Sequence, residues 1–201
     1  MPAAHLPAPA RSILRRLAAL VLPALVLAGC GSSQLVSYDL AAVSHEKIRA
    51  GAIRGVLAVA TPIAEGPLDS ERIVIREGGD RLAYLADAKW ADTLPELLQS
   101  KIVSSFENAR LMKSVVRPGG VSDYSLHVEV RRFEIDVSEN VARIEMSVRI
   151  RSDMTGRPIA AKTFSAIAPA DRTADGKAAQ ALDVALAQVL RQLVSWTAAK
   201  V

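Results

Sequence analysis

Residues 143–151 read Arg-Ile-Glu-Met-Ser-Val-Arg-Ile-Arg, and this stretch decides the fold class because polar and apolar side chains alternate without a break. Successive side chains of a β-strand point to opposite faces of the sheet, so the pattern predicts a strand with one buried and one solvated face. The apolar side chains that we expect to point inward are Ile144, Met146, Val148 and Ile150. The side chains that we expect to point outward are Arg143, Glu145, Ser147, Arg149 and Arg151.

Two further strands are predicted beside this one. In residues 124–137 the alternation changes phase at Arg131-Arg132, which predicts a β-bulge because one extra residue swaps the two faces. A turn at 154–157 leads to a third strand over 158–167. The C-terminal half therefore predicts an antiparallel meander.

The N-terminal half predicts three more strands. Residues 53–60 are mostly apolar and indicate a central strand that is covered on both faces. Residues 71–77 alternate, with Ile73 and Ile75 on one face, and Gly78-Gly79-Asp80 predicts a hairpin into a short strand at 81–85.

Two amphipathic helices complete the prediction. Thr93 and Glu96 have the spacing of a capping box, and the apolar positions that follow predict a helix ending near Asn108. A second apolar stripe at helical spacing predicts a helix over 173–199. We expect an α/β (mixed α+β) fold in which residues 37–201 form a mixed, partly antiparallel sheet flanked by two main helices.

The N-terminus has the three parts of a secretory signal. Its first charges are arginines at 11, 15 and 16, an apolar run covers 17–27, and small residues follow. A membrane-spanning helix needs about 20 apolar residues, so an apolar run of this length is too short to cross a bilayer. We therefore expect residues 1–29 to be a cleaved lipoprotein signal peptide.

The signal ends in Leu27-Ala28-Gly29-Cys30, which resembles the bacterial lipobox. In that motif the cysteine thiol receives a diacylglyceryl group before the signal is removed. The alternative is a chance cysteine at the end of an ordinary secretory signal. We expect Cys30 to be the lipid attachment site, with residues 30–36 as a short tether. Cys30 is also the single cysteine of the chain, so the domain has no disulfide.

Charge gives no indication of nucleic-acid binding. The chain has 25 Lys and Arg against 21 Asp and Glu, and three of the positive charges lie in the predicted signal peptide. What remains is close to neutral, so the net charge of +4 does not indicate a nucleic-acid surface.

Motifs for catalysis or metal binding are missing from the sequence. No Gly-rich phosphate loop and no nucleophile elbow occurs, and the three histidines are scattered. We predict neither a metal site nor a cofactor, and we expect the protein not to be an enzyme. His127 falls on the polar side of its strand, where we expect it to be solvated.

Trp90 and Arg72 are the two candidate residues for a partner interface. Trp90 lies just before the first predicted helix, and it is either a core anchor at the start of that helix or an exposed aromatic on an interface. Arg72 lies in a region where several arginines alternate with carboxylates, a pattern that ordinary surface ion pairs also explain.

Several segments resemble one family, the ABC-type transport auxiliary lipoproteins, which are PqiC-like. The strongest are 68–76 (LDSERIVIR), 82–85 (LAYL) and 89–95 (KWADTLP). Weaker similarity covers 37–40 after the lipobox, 132–134, and the last helix with Trp196 near its end.

The resemblance implies a role and a fold similar to the TolB N-terminal domain. Such lipoproteins accompany an MCE-domain protein, and through it a permease and an ATPase, in systems that move phospholipids or other hydrophobic molecules between membranes. We therefore expect a lipid-anchored periplasmic adaptor, alone or as a homo-oligomer. A periplasmic carrier that itself binds a lipid is the alternative. Gly31 favours the outer membrane, because Asp at this position is the usual inner-membrane retention signal in enteric bacteria.

Overall fold

The alternation in residues 143–151 is realised as a strand whose four apolar side chains are completely buried. The structure, a computed structural model, describes residues 35–44, 55–170 and 176–201. Its strands are β1 (Val36–Tyr38), β2 (Val56–Val59), β3 (Ile63–Ala64), β4 (Arg72–Arg76), β5 (Leu82–Trp90), β6 (Ser114–Val116), β7 (Tyr124–Asp136), β8 (Val141–Ser152) and β9 (Pro158–Pro169). Its helices are α1 (Leu94–Ala109) and α2 (Lys177–Ala198), and a 3-10 turn covers Gly66–Leu68.

All of these strands belong to one mixed sheet that is organised around β7. One edge of β7 pairs with β8 in antiparallel register over its whole length, and β9 pairs with the outer edge of β8. The other edge of β7 receives β2, β3 and β4 one after another, each of them parallel to it. From there the sheet continues through β2 to β6, and through β4 and β5 to β1. The predicted mixed sheet and C-terminal meander are confirmed.

The predicted bulge in β7 is present. Its pairing with β8 shifts between Val130 and Arg132, so that Val130 faces Met146 and Phe133 faces Ile144. Because of this shift, apolar residues before and after the bulge point to the same side of the sheet. Residues 131 and 132 are both exposed to solvent.

Both helices cover one face of the sheet, as predicted. The buried stripe of α2 includes Leu182, Leu186 and Leu193, each with no exposed surface, and Trp196 packs edge-on against Phe164 of β9 with ring centroids 5.4 Å apart. Helix α1 buries Leu98, Ile102 and other apolar residues against the same core. We call the other side of the sheet, which neither described helix covers, the open face.

Residues 39–44 form a strap across both helices. The amide of Ala41 donates a hydrogen bond to Asp183 of α2 at 2.6 Å, and the amide of Val43 donates to the Ser105 hydroxyl of α1 at 3.1 Å. The Asn108 side chain donates in turn to the carbonyl of Val43 at 3.0 Å. Hydrogen bonds to polar side chains of α1 and α2 therefore fix a segment with no secondary structure of its own.

Several details differ from the sequence prediction. Thr93 does stand at the N-cap of α1, but its side chain makes no capping hydrogen bond, so the predicted capping box is wrong. Strand β5 extends to Trp90, beyond the predicted end at residue 85. Residues 53–54 and 173–175 of two predicted elements lie outside the described residues, and the similarity to the TolB N-terminal domain stays a prediction.

Candidate functional site

Trp90 is a core residue. It is the last residue of β5 and only 1% exposed, and its ring packs edge-on against Phe133 of β7 at a centroid distance of 5.7 Å. Its amide donates a 2.7 Å hydrogen bond to the carbonyl of Glu71. The interpretation of Trp90 as an exposed interface residue is therefore wrong, because α1 and its neighbours cover the side chain. The structure supports the other interpretation, a core anchor at the start of α1.

Arg72 lies on the opposite side of the sheet from Trp90, on the open face. It pairs with Lys89, the residue before Trp90, across β4 and β5. Its guanidinium group lies over the ring of Tyr84, 5.0 Å from the ring centroid. The Nε atom is buried and has no hydrogen-bond partner. The structure thus places the two predicted interface residues on opposite faces of the sheet, with Arg72 half-buried on the open face.

The open face around Arg72 contains a buried ion pair. The guanidinium group of Arg76 donates to both carboxylate oxygens of Glu134, at 2.8 and 3.0 Å, and also to the carbonyl of Gly79 at 2.9 Å. The side chain of Glu134 is 4% exposed and that of Arg76 is 22% exposed. The hydrogen bond to Glu134 raises the pKa of Arg76. This pair fixes β4 against β7 beside Arg72.

Asp136 stabilises the turn between β7 and β8. Its Oδ1 atom accepts hydrogen bonds from the hydroxyl and amide of Ser138, at 2.6 and 3.0 Å, and from the amide of Glu139 at 3.2 Å. The pKa of Asp136 is lowered, and the hydrogen bond from the Ser138 hydroxyl is the largest cause. The two amide hydrogen bonds and the charge of Arg143 lower it further, whereas burial acts to raise it. The role of Asp136 is therefore structural.

A group of serine, histidine and aspartate side chains lies at the far end of β7 and β8. The hydroxyls of Ser122 and Ser125 donate to the two carboxylate oxygens of Asp153, at 2.6 and 2.7 Å. The Nε2 atom of His127 lies 3.2 Å from the Ser125 hydroxyl. In a hydrolase triad the histidine stands between the serine and the carboxylate, whereas here the serine donates directly to Asp153. The arrangement fits a structural clamp better than a nucleophile.

The same group changes two pKa values. Burial, which is the largest effect, together with Arg151 and Arg149 lowers the pKa of His127 from its ordinary 6.5. Burial acts to raise the pKa of Asp153, but the hydrogen bonds from Ser122 and Ser125 and the charge of Arg151 outweigh it and lower this pKa. His127 is half-buried on the open face, so the expectation that it is solvated holds only in part.

Among the described residues, no group of three or more histidine, cysteine, aspartate and glutamate side chains has the geometry of a metal site. The same part of the chain contains no helix that is long and apolar enough to cross a membrane. Cys30 and Gly31, the residues on which the predicted lipid anchor depends, lie outside the described residues.

Comparison with known proteins identifies the class of this chain. The family model for the ABC-type transport auxiliary lipoprotein component matches residues 38–194, which is nearly the whole described fold. The chain belongs to this family. Its members are auxiliary components of ABC-type transport and are not a known enzyme family, and the lipoprotein class indicates attachment to a membrane.

Relatives of the chain support this assignment. An uncharacterized protein of Bradyrhizobium diazoefficiens is 29% identical over 172 residues, which cover 84% of this chain and 46% of that protein. This chain therefore spans about half the length of the curated relative that it matches. The crystal structure of protein XCC0632 from Xanthomonas campestris is 30% identical, with a TM-score of 0.77 over 82% of this chain and 95% of that one.

A more distant structure shares the fold alone. The hypothetical protein CT253 of Chlamydia trachomatis is 8% identical, with a TM-score of 0.50 over 74% of this chain and 98% of that one.

Proposed function

We propose that this protein is a lipid-anchored periplasmic adaptor of an MCE-type ABC transport system that moves phospholipids or other hydrophobic molecules between membranes. The observation that carries the proposal is the family match over residues 38–194, which begins directly after the predicted lipobox and tether. In this role the diacylglyceryl group on Cys30 holds the domain on the membrane. Local concentration at the membrane then compensates for a weak intrinsic affinity for the partner.

The open face of the sheet is the proposed docking surface for the MCE-domain partner. Arg72 is its central residue, because its guanidinium group is stacked on Tyr84 and donates no side-chain hydrogen bond to the described residues. Gly31 favours an outer-membrane location facing the periplasm. An adaptor in that location would receive hydrophobic molecules from the system, or pass them back to it, at the outer membrane.

One observation favours the alternative, a carrier that binds lipid itself. A surface groove of about 400 Å³ lies between β9 and α2 and is largely apolar. It is lined by Ala168, Pro169, Lys177, Gln180, Ala181 and Val184. The interior of the sandwich itself is filled, since Ile144, Met146 and Leu186 at the helix–sheet interface have no exposed surface. The groove could therefore hold part of an acyl chain but not a whole lipid molecule.

Membrane fractionation and crosslinking test the adaptor proposal. The full-length protein should float with the outer membrane, and crosslinking in native membranes should recover an MCE-domain protein. Cys30→Ser should release the protein from the membrane and reduce this recovery, while Ser33→Ala in the tether serves as the matched control. If the unaltered protein never recovers an MCE-domain protein, the adaptor proposal is wrong.

Mass spectrometry decides between adaptor and carrier. Residues 35–201 contain every described strand and helix and form one compact unit, so a chain shortened to these residues keeps the described fold. An adaptor should purify without lipid. Stoichiometric phospholipid that is lost in Val184→Asp would support the carrier.

A further inference from the structure

Most charged side chains on the open face are paired with one another. Arg76 pairs with Glu134, Arg149 with Glu129, and Arg151 with Asp153. Arg131 lies within salt-bridge distance of both Glu129 and Glu145, and Arg143 pairs with Glu139. The charges of these side chains are therefore largely neutralised by other side chains of the same protein.

Two arginines on this face are exceptions. Among the described residues, neither Arg72 nor Arg132 has a carboxylate within salt-bridge distance, and neither guanidinium group donates a side-chain hydrogen bond. Arg72 contacts only the ring of Tyr84 through its charged group, and Arg132 is exposed. These two residues thus carry positive charge on the open face that no salt bridge neutralises, although Glu145 is the cross-strand neighbour of Arg132.

The register of β4 and β7 points to proximity of the two arginines. These strands are parallel, with Val74 level with Glu134 and Arg76 level with Asp136. When this register is extended by two residues beyond its paired part, Arg72 falls beside Arg132. On its other side Arg72 pairs with Lys89, whose charge Glu71 neutralises at 2.6 Å. Like charges at neighbouring positions of a sheet repel each other, so an anion bound between them would relieve an unfavourable interaction.

Arg72 is already held in a geometry suited to an anion. Stacking on Tyr84 restricts the long side chain, so less conformational entropy is lost when a ligand binds. The terminal amino groups of a guanidinium can bind both oxygens of one carboxylate in a planar, bidentate geometry.

We propose that Arg72 and Arg132 form a recognition site for an acidic segment of a partner protein. This inference rests on the proposed function, because it names the chemistry by which the open face would dock its partner. A carboxylate side chain of the partner would lie between the two guanidinium groups, with Tyr84 and Lys89 at the border of the site.

A protein segment fits this site better than an anionic membrane surface. Four carboxylates, Glu129, Glu134, Asp136 and Glu145, lie on the same face of the sheet and would repel a continuous anionic bilayer. A single acidic side chain needs to contact only the two guanidinium groups, whereas a bilayer would also lie against Glu145, which is directly across from Arg132 on β8.

Binding of a model peptide tests the site directly. With the chain shortened to residues 35–201, hexaglutamate serves as the acidic probe, hexalysine as its negative control, and phosphatidylglycerol vesicles as the membrane probe. We expect hexaglutamate to bind, and Arg72→Gln or Arg132→Gln to weaken its binding about fivefold each. Arg149→Gln, which removes a paired arginine of the same face, should leave binding within about twofold.

Any one of three results would overturn the inference. Hexaglutamate does not bind, or Arg149→Gln weakens its binding as much as Arg72→Gln and Arg132→Gln do. The third is that the vesicles bind through the two arginines while the peptide does not. Arg132 is exposed, so its variant remains informative even if Arg72→Gln fails to fold. Because the peptide assay needs no partner, failure to recover an MCE-domain protein would contradict the proposed function and leave this result standing.

Discussion

The Arg76 guanidinium and the Glu134 carboxylate form a two-pronged ion pair across β4 and β7, with N–O distances of 2.8 and 3.0 Å. The carboxylate is almost completely buried, although it lies on the open face, which neither α1 nor α2 covers. Two side chains thus cover each other and the backbone between them. Val74, their neighbour on β4, is only 2% exposed on this face for the same reason.

Removal of the carboxylate should therefore cost much more than removal of a surface charge. Glu134→Ala leaves the Arg76 charge partly buried without a partner, and we expect the free energy of unfolding to fall by about 3 kcal/mol. Glu129→Ala, on the same strand and face but with a more exposed ion pair, should cost less than about 1 kcal/mol. Urea denaturation measures both values. Equal losses would mean that burial of the pair has no energetic consequence.

Trp90 should behave as a core residue in mutagenesis. Trp90→Ala creates a cavity beside Phe133 and should reduce the free energy of unfolding by about 3–5 kcal/mol. Tyr84→Ala removes an exposed aromatic from the same strand and should cost less than about 1 kcal/mol. Thermal and urea denaturation distinguish the two. A Trp90→Ala variant of unaltered stability that loses a binding partner would restore the interface interpretation.

Asp136 should contribute to the loss of stability in acid. Its pKa in the folded protein is lowered from 3.8, so its contribution is complete above about pH 3.8 and is lost as the pH falls further toward the folded pKa. Asp136→Asn keeps the shape of the side chain but removes this titration. We expect the unfolding free energy of the variant to fall less steeply below pH 4 than that of the unaltered protein.

Denaturation curves between pH 2 and pH 7 measure this difference. Asp87→Asn, at an exposed position of β5, is the matched control for the loss of one carboxylate. A slope for Asp136→Asn equal to that of the unaltered protein would show that the hydrogen bonds in the turn do not favour the charged form.

The elements that the sequence predicted well are those with long, uninterrupted patterns. Strand β8 alternates over its whole length, and α1 ends at Ala109, one residue beyond the predicted end. Strands β1, β3 and β6 have two or three residues each, too few for a periodic signal. They form because distant strands offer parallel hydrogen-bonding partners, and such long-range pairing leaves no trace in local sequence.

The candidate site was predictable to a similar extent. Alternation in 71–77 already put Arg72 on the face opposite Ile73, whereas the burial of Trp90 depends on Phe133, forty-three positions later in the chain. The proposed proximity of Arg72 and Arg132 depends on the parallel register of β4 and β7, which pairs Val74 with Glu134. The clamp at Asp153 was missed because its two serines lie 28 and 31 residues away and meet it only when β7 and β8 pair.

His127 contacts Ser125 of that clamp, and its contribution to the stability of the protein depends on pH. Its pKa is lowered from 6.5, so the neutral ring favours the folded state, and the contribution of His127 to stability is complete above pH 6.5 and is lost as the pH falls through the folded pKa. Arg151→Gln removes one of the charges that lower this pKa and should raise it toward 6.5. Arg149→Gln should raise it less, because Arg149 contributes the smallest of the effects. Titration of the imidazole by NMR gives all three values, and a His127 pKa that is above 6.5 or unchanged in Arg151→Gln would contradict this account.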